Sequence, residues 1–259
     1  MAIYLNLKNN RCKGFVEFTS TNTFDEFNSS NVKKVLLKRK IDGKNGGWFT
    51  IYTKPISIDA DLLIKGKDIY VGAGHTYLYE LEYYDTDNNL LTTISNTVEC
   101  KFDCVVLCDK ENYYYTELET GSADTNTIKP FALNSPLNSR KPSFFYNSII
   151  NYEEGNCEGI WLDTDGSELL FKNNYLYRRQ FKNWLTNGKA KVLKNFLGET
   201  WLIGVKTDTI SDKSFISNKQ VEGARKISFD WAECGEINSE SDMYDLGLID
   251  IESTYWSGV

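Results

Sequence analysis

Short segments of alternating apolar and polar residues, each closed by a cluster of Gly, Asn, Asp or Ser, recur through the N-terminal part of the chain and restrict it to a β-rich fold. They are Gly14–Thr19, Val32–Ile41, Trp48–Tyr52, Tyr77–Tyr84 and Leu90–Val98. Strands at this spacing predict a β-sandwich. Asp85-Thr86-Asp87-Asn88-Asn89 joins the last two as a hairpin loop, because Asp and Asn tolerate turn geometry and hydrogen-bond their own backbone. Period two places Tyr77, Tyr79, Leu81 and Tyr83 on one face.

With 259 residues the chain exceeds the usual size of one domain, so two are expected. The boundary falls in GSADTNTIKPFALNSPLNSRKPS, which holds Pro130, Pro136 and Pro142 and is otherwise small and polar. The predicted division is a β-sandwich over residues 1–120, a linker over 121–142 and a second β domain over 143–259. Phe144-Phe145-Tyr146 and Gly159-Ile160-Trp161-Leu162 read as strands of that second domain. One helix is predicted, over residues 174–187. Tyr177, Phe181, Trp184 and Leu185 follow helical spacing, and Asn187-Gly188 supplies the stop.

Downstream, Val192-Leu193, the turn Phe196-Leu197-Gly198-Glu199 and Trp201–Val205 form a hairpin signature. Catalysis there would rest on Glu199, or on Lys189 and Lys191, with no partner fixed by spacing, so the stretch reads as architecture. Lys206–Arg225 is long, polar and poor in apolar anchors, which predicts a loop. Beyond it, Ile227, Phe229 and Trp231 alternate onto one face.

Charge excludes one class of function. The formal net charge is −7 and the basic residues are scattered, which argues against nucleic-acid binding. The densest basic run, Lys33–Lys40, alternates as the solvent face of an edge strand would. No stretch has the length of a membrane span, and no secretory leader is recognised at the N-terminus. A reducing cytoplasm is expected to keep the cysteines as thiols.

Cys100, Cys104 and Cys108 invite a zinc reading, but their four-residue spacing lacks the paired two-residue gaps of zinc ribbons, and the one histidine, His75, is distant. Read with period two, Cys100, Phe102, Cys104, Val106 and Cys108 form one apolar strand face. Gly72-Ala73-Gly74 opens like a dinucleotide loop, yet Tyr77 stands at the third glycine position and no helix pattern follows. Asp163–Glu168 offers oxygen ligands for calcium without the full loop or flanking helices, and reads as a turn. The pairs Glu153-Glu154 and Glu80/Glu82 could serve glycosidase chemistry only if they faced one bond, and a solvated strand edge explains them as well. No catalytic, cofactor-binding or metal-binding residue is therefore assigned, and no cofactor is expected.

GAGHTYLYELEYYD resembles strand F of a fibronectin type III domain, which implies an interaction or spacer module over the N-terminal part. From RKPSFFYNSIINYEEGNCEGIWL through YLYRRQFKNWLTNGKAKVLKNFLGETWLIGV and KISFDWAECGE to SESDMYDLGLI, residues 138–250 resemble tail-tip and baseplate proteins of tailed bacteriophages, the distal-tail-like proteins among them. The most specific pieces are Leu185-Thr186-Asn187-Gly188-Lys189 with the following Gly-x-x-Trp-Leu hairpin, and Phe229–Gly235. The resemblance implies a tail-tube-like β-barrel with one packed helix. It further implies a virion protein, assembled in the bacterial host, that forms a ring of copies of itself, a hexamer, and contacts tail tube, tail hub and tape measure. The Lys206–Arg225 loop would then order against a neighbouring copy or the adjacent tail ring. Two other readings stay open: a glycan-binding module that stacks sugars on exposed Tyr and Trp, and a tail-associated cell-wall hydrolase.

Overall fold

Among the described residues strands dominate and helices are few, so the fold is all-β. The computed structural model describes residues 3–11, 13–43, 47–116, 121–135, 137, 140–146, 149–162, 164–165, 168–169, 174–214 and 225–249. In chain order the strands are β1 (Tyr4–Asn10), β2 (Phe15–Thr21), β3 (Lys34–Ile41), β4 (Phe49–Pro55), β5 (Lys65–Asp68), β6 (His75–Tyr84), β7 (Leu90–Cys100), β8 (Val106–Cys108) and β9 (Tyr113–Tyr115). Then follow β10 (Ser122–Ile128), β11 (Phe131–Asn134), β12 (Ser143–Tyr146), β13 (Tyr152–Ile160) and the two-residue strands β14 (Thr164–Asp165) and β15 (Glu168–Leu169). Helix α1 (Asn174–Leu185), β16 (Lys191–Lys194), β17 (Thr200–Ser214), β18 (Arg225–Gly235) and helix α2 (Glu240–Asp245) complete the chain.

The chain divides into two units that are not consecutive in sequence. The first comprises residues 1–115, 191–201 and 236–259, and the second comprises 116–190 and 202–235. In the first unit, a three-stranded sheet of order β1-β2-β5 faces a four-stranded sheet of order β4-β3-β6-β7. Period two explains the core between them. Tyr77, Tyr79, Leu81 and Tyr83 of β6 are buried as their alternation predicts, together with Val35 and Leu37 of β3 and Phe18 of β2. Phe18 and Tyr52 meet edge to face across the two sheets, with ring centroids 6.0 Å apart. The β6–β7 hairpin closes as expected, since the Asp85 carboxylate accepts the backbone N–H groups of Asp87 and Asn89, each at 2.8 Å.

The rest of the first unit comes from far along the chain. The hairpin turn between β16 and β17 carries Gly198 at φ 100°, where an added Cβ would lie 2.7 Å from the Ala73 carbonyl oxygen, so only glycine fits. Tyr70 Oη donates to the Leu248 carbonyl at 3.0 Å, and Glu240 accepts the Thr50 N–H at 2.8 Å, which anchors the segment around α2. The predicted second domain over 143–259 is corrected accordingly: residues 191–201 and 236–259 belong with the first unit.

In the second unit, β10, β13, β18 and β17 pair side by side and antiparallel. Ile227, Phe229 and Trp231 share a buried face, as the alternation predicts. Helix α1 brings Phe181, Trp184 and Leu185 into the core, and Gly188 at φ 75° ends it where Asn187-Gly188 is predicted to. Phe181 stacks on Trp161 at 4.5 Å and on Trp184 at 6.0 Å between ring centroids.

Four other sequence expectations are corrected. The linker over 121–142 carries β10, paired along its length with β13, and β11, paired with β12. Its Ser, Thr and Asn content reflects exposed strands rather than missing structure. The basic run is not at an edge: β3 lies between β4 and β6, with Lys38 held on the polar face by Glu80 and Glu82. Cys100–Cys108 is not one strand, because the chain leaves β7 at Cys100 and re-enters a sheet at Val106. In between, Asn9 Nδ2 donates to the Lys101 carbonyl at 2.8 Å and Arg11 pairs with Asp103 at 2.8 Å, so the end of β1 holds this segment in place of a ladder. Finally, the loop predicted over Lys206–Arg225 is strand through Ser214, with Ser211–Ser214 paired to Arg225–Ser228, and residues 215–224 lie outside the described residues. Asp163, Gly166 and Ser167 of the calcium-like stretch also lie outside them, while Thr164-Asp165 pairs with Glu168-Leu169.

Candidate functional site

Chemistry-bearing side chains gather in three places, two of them buried. In the first unit, the inward face of β3 includes Arg39, whose guanidinium donates to the Asp68 carboxylate of β5. Tyr79 Oη donates to the same carboxylate at 2.9 Å, and the Tyr70 N–H does so at 3.1 Å. Burial drives the Tyr79 hydroxyl well above its ordinary range, with Asp68 adding to it. Every group in this cluster is committed to a partner in the core, which is the arrangement a buried ion pair needs to be tolerated.

The second buried place surrounds Lys194 of β16. Its ammonium donates to the carbonyls of Gly14 at 2.7 Å and Ile69 at 2.5 Å and sits over the ring of Phe102 at 5.3 Å. Burial pulls this ammonium below its usual range, opposed by Cys108, Cys100 and Asp68 nearby. Burial likewise raises the Cys100 thiol to about 11 and the Cys108 thiol to about 12. Cys100, Cys104, Cys108 and Cys157 are buried and Cys234 is exposed. A thiol held protonated and out of solvent is a poor nucleophile. In the folded protein at mildly alkaline pH, a maleimide is therefore expected to label Cys234 and to spare those four until denaturant is added, as read by peptide mass mapping. Rapid labelling of Cys108 without denaturant would contradict this burial.

The third place is open to solvent. On α1, Tyr175 and Arg179 stand one turn apart, as do Arg178 and Lys182. Together with Asp212 of β17 and Arg225 of β18 they line a cavity of about 360 Å³. Asp212 accepts from Lys182 Nζ at 2.7 Å and from Arg225 Nε at 2.5 Å, and Arg178 Nε lies 4.0 Å away. Burial acts to raise the Asp212 carboxyl, but the hydrogen bonds from Lys182 and Arg225 outweigh it and hold the group below its ordinary value. Nothing in local sequence announced this cluster, because its members are spread from residue 175 to residue 225.

The residues weighed from sequence fall elsewhere. Glu80 and Glu82 both reach Lys38, at 3.3 and 2.5 Å. Glu154 pairs with Lys206 at 2.7 Å, while the Glu153 N–H donates to Glu233 at 3.0 Å. Glu199 accepts from Asn195 Nδ2 at 2.5 Å, and the Asn195 carbonyl oxygen Oδ1 accepts the Leu197 and Glu199 N–H groups, so Glu199 clamps the hairpin turn. Gly74, at φ 71°, leads into β6, and its N–H donates to the Cys100 carbonyl at 2.8 Å.

Exposure separates the aromatics. Trp161, Trp184, Trp201 and Trp231 are buried, and so are Tyr70, Tyr77, Tyr79 and Tyr83. Among the described residues, exposed apolar side chains gather on the β11–β12 pair, where Phe131, Leu133, Phe144 and Phe145 are each more than half exposed. Leu133 faces Phe144 across the pair, and the Phe131 and Phe144 rings stand 6.5 Å apart. Among the described residues this hairpin joins no further strand. The sequence matches no known protein-family model.

Proposed function

We propose that the chain is a structural virion protein of a bacteriophage tail tip or baseplate, which assembles with copies of itself into a ring around the tail axis and connects tail tube to tip components. The observation that carries the self-association is the β11–β12 arm. A two-stranded hairpin is marginally stable by itself in water, and one with four exposed large apolar side chains gains most by lying on another surface. A ring supplies that surface, since each copy offers one face to the next and another to the previous. The edge strand β10 is largely exposed and carries backbone groups that an extended segment of a neighbour can complete.

The sheet orders β1-β2-β5 and β4-β3-β6-β7 support the fibronectin type III-like reading of the first unit. The antiparallel β10-β13-β18-β17 arrangement with α1 packed on it supports the tail-tube-like reading of the second. Burial of Trp161, Trp184, Trp201 and Trp231 favours this function over sugar stacking on those rings, which needs them on a solvent face.

Native mass measurement tests the association. The wild-type chain is expected to form a closed multi-copy species. Leu133→Asp combined with Phe144→Asp is expected to leave the fold intact and shift the mass to a monomer. A wild-type chain that remains monomeric at high concentration, or a double variant that assembles normally, would remove the arm from this role.

A further inference from the structure

The chain carries two Asn-Gly pairs, and one of them, Asn187-Gly188, stands exposed just past the end of α1. Glycine matters at the second position because it has no Cβ to shield its backbone nitrogen, and a Cβ added at Gly188 would meet no atom within 4 Å. Among the described residues the Gly188 N–H makes no hydrogen bond, so its nitrogen is not held in a ladder. The Asn187 side chain folds forward along the chain, and its Oδ1 accepts the Lys189 N–H at 3.0 Å. That hydrogen bond closes a ring which contains both the Asn187 amide carbon Cγ and the Gly188 nitrogen, and so keeps the two close. It also sets a donor on the oxygen that becomes negative when the nitrogen attacks Cγ, the arrangement that stabilises an oxyanion.

We propose that Asn187 is a site of spontaneous deamidation, through which α1 loses its C-terminal stop as the protein ages. Once hydroxide has removed the Gly188 amide proton, the nitrogen attacks Cγ. The N–Cγ bond forms, the Cγ–Nδ2 bond breaks and ammonia leaves, which gives a cyclic imide. Water then opens the imide. Cleavage at Cγ leaves an aspartate in an unchanged backbone, and cleavage at the backbone carbonyl carbon leaves an isoaspartate, whose extra methylene lies in the main chain. The sequence of steps consumes only water. Either product puts a carboxylate beside the C-terminal carbonyls of α1, where the helix dipole disfavours negative charge. The isoaspartate also displaces Gly188, whose φ of 75° ends the helix. Trp184 and Leu185, buried in the last turn, are the core residues nearest to the change. The assignment is independent of the assembly reading.

The test is incubation of the full chain at mildly alkaline pH, followed by tryptic peptide mapping. Cleavage after Lys182 and Lys189 releases the peptide Asn183–Lys189. Fragmentation separates Asn187 from Asn183, which is exposed too but is followed by Trp184 inside α1. Asn187 is expected to convert to the acid faster than any other described asparagine, and faster still as the pH is raised, with isoaspartate detected by enzymatic carboxyl methylation. A synthetic peptide of the same sequence is the reference. The folded chain should react at least as fast as the peptide, whereas a turn that bars the attack would slow it by about ten-fold or more. Asn187→Gln lengthens the side chain past the favoured ring size, so this variant should stay unmodified and keep the thermal midpoint that the aged wild type loses. Asn45-Gly46, outside the described residues, is present in both chains, so the comparison isolates Asn187. The proposal is overturned if Asn187 remains an amide in the folded chain while the peptide converts, if Asn183 converts as fast as Asn187, or if the aged wild type and Asn187→Gln share one thermal midpoint.

Discussion

Replacing Asp68 by alanine is expected to destabilise the first unit by about 3–5 kcal/mol in a denaturant titration, the scale for breaking a buried ion pair from one side. Arg39, only 5% exposed, would remain a buried cation, while the neighbouring carboxylate that offsets its desolvation would be gone. Tyr79 Oη and the Tyr70 N–H would lose their acceptor in the same step. Replacing the partners together, Arg39→Met with Asp68→Leu, should recover the part of the loss that comes from the uncompensated charge, while the Tyr79 hydroxyl and the Tyr70 N–H still lack their acceptor. A loss below about 1 kcal/mol for the single variant would mean that water reaches Arg39.

For the second unit the largest effect is expected at Phe181. Phe181→Ala should cost about 3–5 kcal/mol, the usual range for a large aromatic removed from a core. Its ring is fully buried between Trp161 and Trp184, so the gap would have stiff walls on both sides and collapse poorly. Trp184→Ala should fall toward the lower end of the range, because Trp184 ends the stack and is 6% exposed. Denaturant titration followed by tryptophan fluorescence reports on both neighbours directly. An effect below about 1 kcal/mol for Phe181→Ala would mean that α1 does not depend on this face for its docking.

What could be read from the sequence is what depends on near neighbours. Tyr77, Tyr79, Leu81 and Tyr83 are spaced by the strand period, and Phe181, Trp184 and Leu185 by the helix period. Both faces are buried as predicted. The turns at Asp85–Asn89 and Gly198 announce themselves by residue type. Polar strands are harder. The outer half of β17 and all of β10 carry Ser, Thr, Asp and Asn on partly exposed faces, so their hydrophobic signal is absent although their ladders form. Buried charge is harder still. Arg39 finds Asp68 29 residues away and Lys194 finds Gly14 180 residues away, and no local pattern encodes either meeting. The cationic cleft fails the same way: Arg178 and Lys182 read as the solvent side of a helix until β17 and β18 bring Asp212 and Arg225 beside them.

The interleaving of the two units along the chain also governs how the protein emerges from the ribosome. Residues 1–115 are made early, yet the ammonium that bonds the Gly14 carbonyl and the strand that pairs with β8 arrive only with residues 191–194. Until then Val106, Leu107 and Cys108 present an unpaired strand edge. Contacts across so long a span close slowly, because loop entropy is lost before the contacts form. The second unit's residues 116–190 are synthesised within that interval. Completion of the first unit is thus deferred until residues 191–201 and 236–259 have been made, and a fragment released before them would lack the Lys194 ammonium that its core is built around.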